Sequence, residues 1–97
     1  MTHEETRRAV ARAACRLESL GLTHGTSGNV SARVSGGFLI TPTGVPADAI
    51  APEAVVLCDE AGTPAPGQHA PSSEWRIHRD IYAARREAGA VVHTHSP

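Results

Sequence analysis

Lysine is absent from the sequence: all nine basic residues are arginine. A Schiff-base route through a lysine amine is therefore closed to these residues, and carbonyl chemistry here needs a metal or another electrophile. Aromatic side chains are almost as scarce, with one Phe, one Trp and one Tyr, so few large groups are on hand to fill a core. Nine basic against ten acidic residues give a net charge of -1, which removes the electrostatic case for nucleic acid or membrane binding. No apolar run approaches the roughly 20 residues that span a bilayer, and no signal-peptide pattern opens the chain. The expected location is cytoplasmic. Cys15 and Cys58 form no C-x-x-C pair, and both read as buried free thiols.

What is present fits one small mixed domain. Hydrophobic residues make up 40% of 97, enough for a single core of modest size. Residues 4–20 have the spacing of an amphipathic helix: Val10, Ala13, Ala14 and Leu17 share one face, and Arg8, Arg12, Arg16 and Glu18 fall outside it. Gly21 ends it. Residues 30–34 alternate apolar and polar, which predicts a strand with one buried face. Gly36-Gly37 predicts a hairpin turn into a strand over 38–41. Short helical turns are expected at 47–50 and 52–53, a buried strand over 54–58, and a turn at 59–62. Three prolines and a glycine make 63–71 irregular. A second helix is predicted from Ser72 or Ser73 as N-cap to about Arg86, with Glu74 in its first turn. Trp75, Ile77 or His78, Ile81 and Tyr82 mark its packing face, His78 being read as a packing or surface residue rather than a ligand.

The chemistry gathers in the closing strand, Ala90-Val91-Val92-His93-Thr94-His95. Residues two apart on a strand share a face, so His93 and His95 together offer two of the three protein ligands of a catalytic zinc. A chance pair of histidines on a strand is the plain alternative. Three corners, at 25–29, 41–44 and 71–73, carry glycine, hydroxyl and amide groups able to turn donors toward a phosphate. Each by itself reads as an ordinary turn. Glu74, directly after the third corner, is by itself an ordinary acidic residue at a helix start. Taken together, phosphate donors, a Lewis-acid site and a base are what a metal-dependent reaction alpha to a carbonyl requires.

The blocks GTSGNVS (25–31), FLITPTG (38–44), PSSEWRIHRDIY (71–82) and AVVHTHSP (90–97), in this order, resemble the class II aldolase/adducin family. Within it, they look most like the L-fuculose-phosphate aldolase-like enzymes. The resemblance implies an α/β fold, a three-layer α/β/α sandwich with a mostly antiparallel central sheet. It implies zinc (or another divalent metal) held by three histidines, two of them matched by His93 and His95. Glu74 matches the carboxylate that serves as acid/base and approaches the metal when substrate is absent. Gly28, Asn29, Thr43, Gly44, Ser72 and Ser73 match the phosphate cradle. The implied reaction is reversible aldol cleavage of a small-molecule sugar phosphate, a fuculose 1-phosphate-like ketose. The products are dihydroxyacetone phosphate and an aldehyde, formed through a zinc-stabilised enediolate.

Glutamate rather than aspartate at position 74 favours the aldolase branch over the 4-epimerases. A dehydratase, a decarboxylase and a non-catalytic adducin-like interaction module are the other readings. The family also implies a homo-tetramer. Members are about twice as long, the size of a full α/β domain. Residues 1–97 are therefore expected to be the truncated N-terminal portion of a single domain, without the third histidine and a tyrosine reaching across a subunit interface. Alone, they are expected to bind zinc weakly, to lack useful activity and to fold poorly around an exposed partial sheet edge.

Overall fold

The computed structural model describes residues 2–94. Helix α1 (His3–Ser19) starts with a capping box: the Glu5 amide donates to Thr2 Oγ1 at 3.1 Å, and the Thr2 amide donates to Glu5 Oε1 at 2.9 Å. These bonds satisfy amides that a helix start leaves without intrahelical partners. Four strands follow, β1 (Asn29–Val34), β2 (Gly37–Ile40), β3 (Val56–Asp59) and β4 (Ala90–His93), with α2 (Trp75–Ala84) between the last two. They form one antiparallel sheet in the order β3-β2-β1-β4. Single 3-10 turns at Ala47–Ala49 and Pro52–Ala54 fill the long connection before β3.

Strand alternation splits the core in two. Val30, Leu39 and Val55 pack under α1 against Val10, Ala11 and Ala14. Phe38, Ile40, Val56, Cys58 and Val91 face the other way and pack against Tyr82 of α2. One helix on each face of the sheet makes the three layers expected. The scarce aromatics are all spent on the α2 side, where the Phe38 and Tyr82 rings lie 5.5 Å apart and Trp75 packs at the edge of the cluster. Small residues on α1 let that helix sit close to the sheet without large side chains.

Several local expectations change. Strand β1 is covered on both faces, because Val30, Ala32 and Val34 turn to α1 while Asn29 and Ser31 lie buried beneath α2. Its polar face is thus interior, and it meets polar groups of α2. Helix α2 begins at Trp75 and ends at Ala84, with Glu74 in the N-cap position and making no side-chain cap. Ser72 instead closes a preceding turn: its carbonyl accepts from the Trp75 amide at 3.0 Å and its hydroxyl from the Glu74 amide at 3.3 Å. Cys15 is exposed, since it lies on the outer side of α1, whereas Cys58 is buried. Burial, reinforced by Asp59, pushes the Cys58 thiol up to about 11, so it stays a thiol. No helix among the described residues is long and apolar enough to cross a membrane.

Two polar clamps complete the framework. At the β3 edge, the Gln68 carboxamide accepts from the Leu57 amide at 2.8 Å and donates to the Leu57 carbonyl at 3.0 Å, as a neighbouring strand would. At the other end of the core, Arg33 of β1 donates to the carbonyls of Ala88 (2.8 Å), Tyr82 (2.9 Å) and Arg85 (2.8 Å) and lies over the Tyr82 ring. Helix α2 has no basic residue in its own last turn, so Arg33 supplies from the sheet the positive charge that a helix C-terminus favours. Arg33→Met, which keeps the aliphatic stem, is expected to lower stability by about 1.5–3 kcal/mol, with Arg33→Lys restoring only part. Urea unfolding checks this; an unchanged midpoint in Arg33→Met would contradict it.

Candidate functional site

The three glycine- and hydroxyl-rich corners meet at Thr41. The Thr41 amide donates to the Val30 carbonyl at 3.0 Å, and its hydroxyl accepts from the Val30 amide at 3.3 Å. Its carbonyl accepts from the Ser72 amide at 2.9 Å, and the Thr43 amide donates to Ala70 at 3.0 Å. Thr41 itself is 2% exposed, so the corners are tied together from beneath while their tips stay open. Thr43, Gly44 and Ser73 are exposed at those tips, and Ser72 is buried behind them. Gly44 adopts φ +71° with open space where a side chain would be, a conformation that glycine takes without strain. Gly28 has a packing reason as well: a Cβ there would lie 2.1 Å from Thr23 Cγ2. The Ser27 hydroxyl is engaged within its own loop, donating to the His24 carbonyl at 2.8 Å.

Beside these corners the sheet brings the acid/base candidate and a histidine together. Asn29 and His93 are cross-strand partners of β1 and β4, so their side chains share one face. Glu74, at the start of α2, lies over that face with its Oε1 3.5 Å from His93 Nδ1. Asn29 Nδ2 donates to the same Glu74 oxygen at 2.8 Å. Glu74 and His93 are 30% and 28% exposed, so both remain reachable from solvent. An imidazole nitrogen and a carboxylate oxygen are donors that zinc accepts, and the pair fits two positions of a divalent-metal site. Among the described residues no group of three His, Cys, Asp or Glu is arranged to hold a metal ion. His95, the other histidine predicted as a ligand, lies outside the described residues.

The residue whose polar partners the sequence does not reveal is His78. It lies on the packing face of α2, completely buried, and packs there through polar contacts. Its Nε2 bonds to Asn29 Oδ1, its Nδ1 lies 2.6 Å from Ser31 Oγ, and Ser31 Oγ lies 2.7 Å from the Tyr82 hydroxyl. A continuous polar chain therefore runs from Tyr82 through Ser31, His78 and Asn29 to Glu74. Both ends of the Asn29 carboxamide are engaged in it. Burial, aided by nearby His93 and opposed by Glu74, drops the His78 pKa to about 4 and keeps the ring neutral. Burial likewise raises the Tyr82 pKa. The signal for this chain was present as spacing. Glu74, His78 and Tyr82 are four apart on one helix face, opposite Asn29 and Ser31, which are two apart on a strand.

Residues 8–97 match the Class II Aldolase and Adducin N-terminal domain family, and the chain belongs to that family. A 5-methylthioribulose-1-phosphate/5-deoxyribulose-1-phosphate aldolase of Escherichia coli O45:K1 is 51% identical over 83 residues, covering 84% of this chain and 38% of that protein. The L-fuculose phosphate aldolase of Escherichia coli K12 is 41% identical over 96 residues, 99% of this chain and 44% of that protein. Among solved structures, YgbL of Klebsiella pneumoniae, a candidate aldolase/epimerase/decarboxylase, superposes with TM-score 0.92 at 29% identity. That match covers 99% of this chain and 46% of YgbL. The chain thus spans about two fifths of the length of the curated relatives it matches (38% and 44%).

The buried His78 makes stability depend on pH in a definite direction. Its folded pKa, about 4, lies below the ordinary 6.5, so between those values the unfolded chain binds more protons than the folded one. Its contribution is complete above pH 6.5 and is lost as pH falls toward 4, by at most about 3 kcal/mol. Denaturant midpoints measured across this range are expected to fall on acidification, and His78→Gln to flatten the slope. An equal slope in the variant would assign the effect to other groups.

Proposed function

We propose that the protein catalyses reversible, metal-dependent aldol cleavage of a phosphorylated ketose, releasing dihydroxyacetone phosphate and an aldehyde. The observation that carries this reading is the Glu74 carboxylate, held by Asn29 and facing His93 beside three converging donor-rich corners. In this reading Thr43, Gly44 and Ser73 at the open tips, with Ser72, Gly28 and Asn29 behind them, take the substrate phosphate through backbone amides and hydroxyls. With the Asn29 side chain committed to Glu74 and His78, its share falls to its main chain or its remaining N–H. His93, His95 and Glu74 would hold the divalent metal, zinc by the donor chemistry. When bound, such an ion supplies a Lewis acid that polarises a substrate carbonyl.

Glu74 then moves the proton at the substrate carbon next to the carbonyl, with one oxygen oriented by the Asn29 N–H. The absence of lysine in this chain agrees with a route that needs no imine. The E. coli relatives named above, aldolases acting on ketose 1-phosphates, support the substrate class. A decarboxylase or epimerase of the same family is the second reading, favoured by the high structural likeness to YgbL (TM-score 0.92).

The test is release of dihydroxyacetone phosphate from L-fuculose 1-phosphate and from 5-deoxyribulose 1-phosphate by the whole protein, with metal present or chelated. Turnover of at least one substrate is expected, lost on chelation and reduced by about 10²–10⁴-fold in Glu74→Gln. Release of carbon dioxide from a 3-oxo acid phosphate, without aldol cleavage, would favour the second reading instead.

A further inference from the structure

We infer that His78 is a positioning residue: it anchors the Asn29 carboxamide that bonds to Glu74, and so holds that carboxylate in its working orientation. The inference rests on the role of Glu74 proposed above. Its basis is the direction in which hydrogens must run along the buried chain. An ionised carboxylate only accepts hydrogen bonds, so the Asn29 group 2.8 Å from Glu74 Oε1 must be the NH2. Asn29 Oδ1 then faces His78, and an oxygen needs a donor there, so Nε2 carries the ring hydrogen.

A neutral imidazole has one such hydrogen, which leaves Nδ1 as the acceptor. The Ser31 hydroxyl, 2.6 Å away, must donate to it, and Ser31 Oγ in turn accepts from the Tyr82 hydroxyl at 2.7 Å. Every donor in the row points toward Glu74. Burial, which holds the His78 pKa near 4, agrees with the neutral ring this order requires. Without the Nε2 hydrogen, the Glu74 bond alone still orders the carboxamide, and Asn29 Oδ1 is left buried without a donor. That unmet buried acceptor lets the carboxamide shift, and Glu74 loses its fixed orientation.

The test has a spectroscopic arm and a kinetic arm, both on the whole protein. In the first, nitrogen-15 NMR with labelled histidine reads which ring nitrogen of His78 is protonated, the signal being assigned by its loss in His78→Gln. A hydrogen on Nε2 is expected; one on Nδ1 overturns the inference. In the second, kcat and KM are measured for 5-deoxyribulose 1-phosphate cleavage. His78→Phe is expected to lower kcat by about 10–100-fold with KM little changed. His78→Gln, whose amide can still donate to Asn29, is expected to restore most of kcat. Equal kcat in His78→Phe and the parent overturns the inference. So does a parallel loss of kcat in both folded variants, which marks a merely structural role. If His78→Phe does not fold, His78→Gln and the NMR arm still decide. A parent that cleaves no ketose phosphate defeats the aldolase reading instead, and the NMR result then stands separately.

Discussion

The Asn29 carboxamide sits 2% exposed between the sheet and α2, bonded to Glu74 on one side and His78 on the other. A buried amide left without partners costs about 1–3 kcal/mol per group. These two partners therefore fix the seating of α2 on the sheet, because sliding the helix by one turn would break both bonds. That seating puts Glu74 over the β1–β4 pair, where the register sets Asn29 opposite His93. The site is thus a consequence of how a polar face was buried, and its geometry depends on the polar chain being complete.

Around that chain the structure divides its labour by chemistry. The α1 layer is sealed by small aliphatic residues and contributes no group to the site. The α2 layer carries the aromatic packing of Phe38 and Tyr82 together with the polar row from Tyr82 to Glu74. Arg33 holds the far end of α2 through three carbonyls, and the Ser72 turn holds the near end. With both ends fixed, the position of Glu74 is set by the scaffold rather than by a mobile loop. The corners at Thr41 join this arrangement through main-chain bonds, which need no particular side chains at the exposed tips.

Much of this was legible in the sequence. The 3.6-residue spacing of Val10, Ala14 and Leu17 marks α1, and Gly36-Gly37 with flanking alternation marks the β1–β2 hairpin. The ordered blocks around Gly28, Thr43, Glu74 and His93 mark the family. The buried polar network was not legible, for one reason. Alternation in β1 predicts one buried face, whereas Asn29 and Ser31 on the other face are also buried, against matching polar groups of a helix more than forty residues away in sequence. A period-2 pattern reports which residues share a face, but what covers that face is tertiary information. For the same reason the place of His78 on the packing face does not reveal its polar partners, and Glu74 reads as a first-turn acid although its carboxylate bonds to Asn29.

The central claim is that Glu74 is set to move a proton next to a carbonyl. It is tested most directly without knowing the sugar, by incubating the whole protein with dihydroxyacetone phosphate in deuterium oxide and following the carbon-bound hydrogens by proton NMR. The account predicts that one hydrogen at the hydroxymethyl carbon next to the carbonyl exchanges stereospecifically, and that Glu74→Gln abolishes the exchange. No exchange by the metal-loaded parent, or equal exchange by the variant, would contradict it.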